Sequence, residues 1–227
     1  WGTEKTEEEK ANEIKTGKYK GKGIAVLHKA PAMPSWSASS ALIQMNEDGS
    51  IKFNVGGIDY GQGTYTVLAQ IIAERLNIPL DKIHVVNETN TDTAPYDWQT
   101  VASRMTVLAG NAIIEACDDL VKQIYELGSI VLHAAKHELA IGDQCVYVKQ
   151  HPENKLPYDK IAIGYVYSNG NSIGGPLIGR GKSIAQGLTF LNQETGEGKP
   201  ALDWTFGAHG IEIEVDKNTG DIEILKI

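Results

Sequence analysis

Apolar and polar residues alternate most clearly in two pairs of short runs in this 227-residue chain. Residues 41–45 and 51–55 flank Asn46-Glu47-Asp48-Gly49-Ser50, whose Asp-Gly pair carries hairpin turn chemistry. Residues 205–215 and 221–225 flank Asp216-Lys217-Asn218-Thr219-Gly220, which predicts a second hairpin. Helical spacing governs elsewhere. In residues 64–76 apolar side chains recur at 65, 68, 72 and 76 and again at 67 and 71, and Pro79 stands beyond the end, where a stop belongs. Residues 101–127 contain no proline and repeat apolar or small residues at helical intervals, which predicts a long helix capped by Gly128, with a second helical stretch over 130–140. Strands are expected at 24–27, 82–86 and 146–149, a short helix at 159–163, and Gly-rich chain from 170 to 187. Residues 87–99 read as a polar loop bearing Tyr96 and Trp98, of the kind that often carries function. Strand pairs interrupted by crossing helices, without strict βαβ alternation, predict an α+β two-layer fold with a mixed sheet and one long crossing helix. Residues 1–20 read as a charged lead-in with at most a short helix over 4–9, and residues 21–227 as part of one domain.

Composition narrows the classes. With 41% hydrophobic and 22% charged residues the chain can bury one sizeable core or two small ones, so disorder is not the default reading. No apolar run approaches the roughly 20 residues a bilayer span requires. The polar, acidic start lacks the basic-then-apolar order of a secretory signal. Without an initiator Met, the chain is expected to be an excised fragment or a processed product. A net charge of −8 with scattered lysines argues against nucleic acid as a partner. Cys117 and Cys145 lie far apart with no Cys-x-x-Cys spacing, which argues against an iron–sulfur cluster, a structural zinc site or a disulfide framework in this chain and suits a reducing cytoplasm.

Two segments carry candidate chemistry. Gly56-Gly57-Ile58-Asp59-Tyr60-Gly61-Gln62-Gly63 ends a strand and opens a helix. Glycines let backbone approach a ligand, and the first free N–H groups of a helix attract an anion. Gln62 offers an amide donor and acceptor to the edge of a heterocycle. A tight turn with no ligand is an equal reading of the glycines alone. In Thr100-Val101-Ala102-Ser103-Arg104-Met105-Thr106 a polar loop enters the long helix; Thr100 or Ser103 can cap it, and Arg104 supplies a planar fork suited to phosphate. Taken alone this is a capped helix. The glycine spacing is not that of a dinucleotide-binding motif, and Gly181-Lys182-Ser183 lacks the earlier glycine of a phosphate-binding loop, with Pro176 in its place. His133 and His137 stand four apart on an expected helix, but Ala134 occupies the place of the catalytic Glu in zinc peptidases and no third ligand is evident, so no metal site is assigned. His209 is expected to be structural or to lie at an interface.

In combination and order these segments resemble the molybdopterin-binding region of xanthine dehydrogenase and aldehyde oxidase large subunits. The likeness rests on residues 56–63, Gln70-Ile71-Ile72-Ala73-Glu74, Val101-Ala102-Ser103-Arg104, Gly110-Asn111-Ala112, Gly174-Gly175-Pro176-Leu177-Ile178-Gly179-Arg180-Gly181, Trp204-Thr205-Phe206-Gly207-Ala208-His209 and the final hairpin, and covers about residue 21 onward. Asp59 stands where the family more often has Glu. The resemblance implies that Tyr60, Gly61 and Gln62 line the pterin end of the cofactor and that Ala102, Ser103, Arg104 and Met105 meet its pterin and phosphate. It implies molybdopterin, as such or as the cytosine dinucleotide, with molybdenum held by cofactor sulfurs and no protein ligand to the metal. It also implies hydroxylation of a carbon centre of a purine, an aldehyde or another heterocycle with water as oxygen source, and electron transfer to iron–sulfur and flavin domains or subunits beside the rest of the large subunit. The family's Gly-rich loop near molybdenum precedes this region and its base, a Glu in a Gly-Val-Gly-Glu context, lies beyond Ile227. This chain by itself is therefore expected to hold no catalytic residue, to turn over no substrate and to retain no cofactor. A non-catalytic scaffold or retired relative, and an unrelated nucleotide-binding module, are the competing readings.

Overall fold

The computed structural model describes residues 4–30, 32–34, 37–87 and 90–227. Residues 1–3 of the expected lead-in and Glu88 and Thr89 of the expected polar loop lie outside them. The chain divides into two units, one made of its two ends, up to Lys29 and from Trp204 on, the other of Ala30–Asp203.

In the larger unit, β2 (Ala38–Met45) and β3 (Ile51–Val55) form the expected hairpin. β4 (Ile83–Val85) pairs parallel to β3 and β10 (Ile178–Ile184) antiparallel to β2, giving a mixed sheet in the order β10-β2-β3-β4. α2 (Thr64–Leu76) and α3 (Gly110–Val131) pack on one face of it. Their apolar stripes, Leu68, Ile72 and Leu76 on α2 and Ile113, Ala116, Leu120 and Ile124 on α3, meet Ile43, Met45, Ile51, Phe53 and Val55 in one core. The two-layer fold with a long crossing helix is thus the one expected. A smaller antiparallel sheet, β5 (Leu139–Gly142), β6 (Cys145–Val148) and β7 (His151–Pro157), and the short pair β8 (Tyr165–Val166) and β9 (Ser172–Ile173) complete the unit. No helix among the described residues is long and apolar enough to cross a membrane.

The smaller unit holds α1 (Glu7–Thr16) and the antiparallel sheet β1 (Lys18–Lys29), β11 (Thr205–Asp216) and β12 (Ile222–Lys226). The helix at most expected over 4–9 runs further because Thr6 and Glu9 form a capping box and Gly17 ends it in the left-handed region.

Four local expectations are corrected. The long helix begins later than residue 101, with a wide π-turn over Met105–Ala109, because residues 95–104 are held in a loop. Gly128 does not cap α3 but lies within it, where an added Cβ would stand 3.2 Å from Val146. No second helix covers 130–140, since His133 turns to φ 53° and Leu139 pairs with Val148 in β5–β6. Consequently His133 and His137 share no helical face. The predicted helix at 159–163 is a single tight turn, Tyr158–Lys160. β7 escaped notice because only Leu156 of His151–Pro157 is buried, so no alternation marks it.

Candidate functional site

β3 stops pairing with β2 at Val55, opposite Ala41, and leaves the first residues of β2 without a neighbour on that side. Residues 96–98 fill the place. The Ser40 N–H donates to the Tyr96 carbonyl at 2.8 Å, Trp98 N–H to the Ala38 carbonyl at 3.1 Å, and Ser39 bridges Asp97. This close approach explains the paired glycines: an added Cβ on Gly56 would lie 2.1 Å from the Pro95 carbonyl oxygen, and one on Gly57 2.1 Å from the Met105 methyl. They admit the neighbouring loop.

Arg104 locks that loop. Its side chain is fully buried, paired with Asp97 at 2.5 Å, and donates to the Ala38 carbonyl at 2.9 Å, the Ser39 hydroxyl at 3.4 Å and the Gln99 carbonyl, with Trp98 stacked 5.5 Å away. The Ser39 hydroxyl donates to the other Asp97 oxygen at 2.5 Å. Arg104 Nε has no partner among the described residues. The fork expected to face a phosphate is therefore turned inward in this structure, where a charge survives burial because it is paired and hydrogen-bonded. Met105 is also buried, within the core.

The turn after Gly57 is braced from within. The Asp59 carboxylate accepts from the N–H groups of Gly61 at 2.9 Å, Gly63 at 3.3 Å and Tyr65 at 3.1 Å, and these backbone donors hold its carboxyl below the usual carboxylate range. The start of α2, expected to be open to an external anion, already receives one from its own chain. Gln62 Oε1 accepts from Tyr60 N–H at 2.8 Å, and its Nε2 donates to the Ile58 carbonyl at 3.0 Å and the Thr64 hydroxyl at 2.8 Å, so both amide hydrogens are engaged.

Thr100 joins the two segments. Its hydroxyl, expected as a helix cap, accepts from Ile58 N–H at 2.8 Å, and its carbonyl accepts from the Tyr60 hydroxyl at 3.4 Å. Of the seven residues picked out from the sequence, Tyr60, Gly61, Gln62, Ala102 and Ser103 are exposed around this junction, while Arg104 and Met105 lie behind it. Ala102 holds φ 51°, a strained conformation for a residue with a Cβ and the sort of outlier that marks functional loops. The backbone N–H groups of Gln62 and Ala102 have no partner among the described residues. Asp97 and Ser39 were missed, because nothing local in the sequence ties an acid to an arginine seven positions on, and Thr100 was read only as a helix cap. Among the described residues no group of three or more His, Cys, Asp or Glu side chains is placed to hold a metal.

A family model described as the molybdopterin cofactor-binding domain matches residues 1–227. Xanthine dehydrogenase of Oryza sativa subsp. japonica is 30% identical over 183 residues, 81% of this chain and 11% of that enzyme. Reconstituted CO dehydrogenase from Oligotropha carboxidovorans superposes with a TM-score of 0.67 at 26% identity, over 96% of this chain and 27% of that one. For aldehyde oxidoreductase from Desulfovibrio gigas the TM-score is 0.65 at 25% identity, over 96% and 21%. The chain thus spans 11% to 27% of the length of these relatives.

Proposed function

Because the chain belongs to the molybdopterin cofactor-binding domain family, we propose that it forms one wall of the cofactor site in the large subunit of a molybdenum hydroxylase. Tyr60, Gly61, Gln62, Ala102 and Ser103 face the cofactor in this reading, and Arg104 and Met105 fix that wall from behind. The supporting observation is the Thr100 junction, which brings two distant glycine-rich and polar segments to one exposed surface. The donor set there fits a pterin. The N–H groups of Gln62 and Ala102 are available to acceptors on a ring edge, and an added Cβ on Gly61 or Gly63 would meet nothing within 4 Å, so the surface is open to a flat group.

When bound, the cofactor supplies two-electron chemistry at molybdenum for hydroxylating a purine, aldehyde or heterocycle carbon with water as oxygen source. The protein's own part is to orient the pterin and to hold it against dissociation. In this reading iron–sulfur and flavin partners elsewhere in the enzyme would take up the electrons and another segment of the large subunit would supply the base, so the 227-residue chain by itself should turn over neither xanthine nor an aldehyde and should keep no cofactor. Two free, buried cysteines suit a reducing cytoplasm.

The test is Ala102→Asp in the large subunit. Aspartate tolerates the left-handed backbone at this position better than most residues, and it places a carboxylate where an anionic cofactor would lie. Molybdenum and pterin content should fall together with the fold intact. Full occupancy in this variant would overturn the reading.

A further inference from the structure

β1 stands at the edge of its sheet, with β11 as its one strand neighbour among the described residues, and it runs for 12 residues. At Lys20 its outward main-chain groups are satisfied by α1 and the residues before it: the N–H donates to Glu13 Oε1 at 2.7 Å and the carbonyl accepts from the Lys5 ammonium. Pairing with β11 continues without a register shift from Lys18 opposite Asp216 to Lys29 opposite Thr205. In an antiparallel ladder the outward groups therefore recur at every second residue, at Lys22, Ile24, Val26 and His28. Among the described residues the main-chain groups of these four have no partner on the outer side. The side chains there are open as well, with Ile24 66%, Val26 73% and Phe206 70% exposed. Proteins normally blunt, bend or cover such an edge, because it is a template for another strand.

We propose that the outer edge of β1 over residues 22–28 receives an extended segment of the same large subunit, from outside these 227 residues, as an added strand. The inference rests on the chain being part of a larger subunit, as in relatives of which it spans 27% or less. β1 carries four lysines and no carboxylate, so an acidic segment complements it better than a second copy would. The incoming segment is apolar at its centre, against Ile24 and Val26, and acidic toward its ends, against Lys22 and Lys29.

Hydrogen exchange on the intact large subunit tests this with an internal control. Amides of Gly21, Gly23, Ala25 and Leu27 belong to the β1–β11 ladder, and those of Lys22, Ile24, Val26 and His28 to the outer edge. Both sets should be protected to within about tenfold of each other, as members of one cooperative unit. Outer amides that exchange like open chain would overturn the proposal, and outer protection that disappears on dilution would overturn it in favour of a second copy. Val26→Pro removes one outward N–H while leaving the ladder with β11 intact, because proline is tolerated on an edge strand when the lost N–H faces away from it. It should lower the melting temperature of the large subunit, and an unchanged value would count against an added strand. Molybdenum content, measured on the same sample, reports on the cofactor reading separately, so each idea can fail without the other.

Discussion

Two edge strands in this molecule are treated in opposite ways. In the larger unit the outward N–H groups of Ile178, Arg180 and Lys182 on β10 are met by Gln123 at 3.4 Å, Asp119 at 3.0 Å and Glu115 at 2.9 Å, and Gln123 also donates to the Ile178 carbonyl at 2.7 Å. A row of side chains four apart on α3 therefore stands in for a missing strand. The match has a geometric cause: four helical residues rise about 6 Å, and two strand residues about 6.6 Å. Close approach makes it possible, since an added Cβ on Gly179 or Gly181 would lie 2.1 Å or 1.9 Å from a carbonyl oxygen of α3. β2 is closed in a second way, by residues 96–98 and the buried Asp97–Arg104 pair. In the smaller unit α1 is short, buries no residue, and satisfies β1 only at its start, at Lys18 and Lys20. Closing an edge takes a helix long enough to run beside it and small residues that let it approach; the candidate cofactor surface is built on the closed side.

Breaking the closures should separate the two cases. The largest effect is expected for Asp97→Ala, which strands the buried Arg104 charge and should cost about 3–5 kcal/mol in denaturant unfolding of the larger unit. Exchange at the outer amides of β1 should be unaffected by it. Gly181→Ala should cost about 1–3 kcal/mol by overpacking, because the atoms its methyl would meet are α3 backbone and cannot move aside. Asp119→Ala removes one acceptor from the β10 edge and should cost about 0.5–1.5 kcal/mol, with faster exchange confined to Arg180 and its neighbours.

The smallest effect lies at the partial closure. Glu13 is held below the usual glutamate value of 4.5 by the Lys5 ammonium and then the Lys20 N–H. A folded-state pKa that is depressed contributes stability present above the ordinary value and lost as pH falls through the folded one. Acidification below about pH 4.5 should therefore loosen α1 from β1, while the β10 row at neutral pH serves as the reference. Chemical shifts of α1 that stay fixed through this range would show that Glu13 does not fasten it.

Much of this was legible in the residues. The hairpin of β2 and β3, the helix over 64–76, the final hairpin and the mixed two-layer fold all follow from periodicity, because in each a single apolar face meets one core. The resemblance assigned the glycine-rich turn and the loop entering the long helix to one cofactor, and in the structure the two segments meet at Thr100. β7 and the start of the long helix were not legible. The first has almost no buried face, and the second depends on partners at residues 38, 39, 97 and 99.

By itself the sequence determined where apolar faces lie, where glycine permits close backbone approach, and the family to which the chain belongs. Only the tertiary structure decided what the polar side chains at the candidate site do. Asp59 and Gln62 are turned to the chain's own N–H groups, and Arg104 to Asp97, so two groups that looked ready for a ligand brace the surface instead. The physical reason is that burial is cooperative and local, written in spacing, whereas a hydrogen-bond partner is whichever acceptor the fold brings within about 3 Å. Sequence distance does not encode that choice.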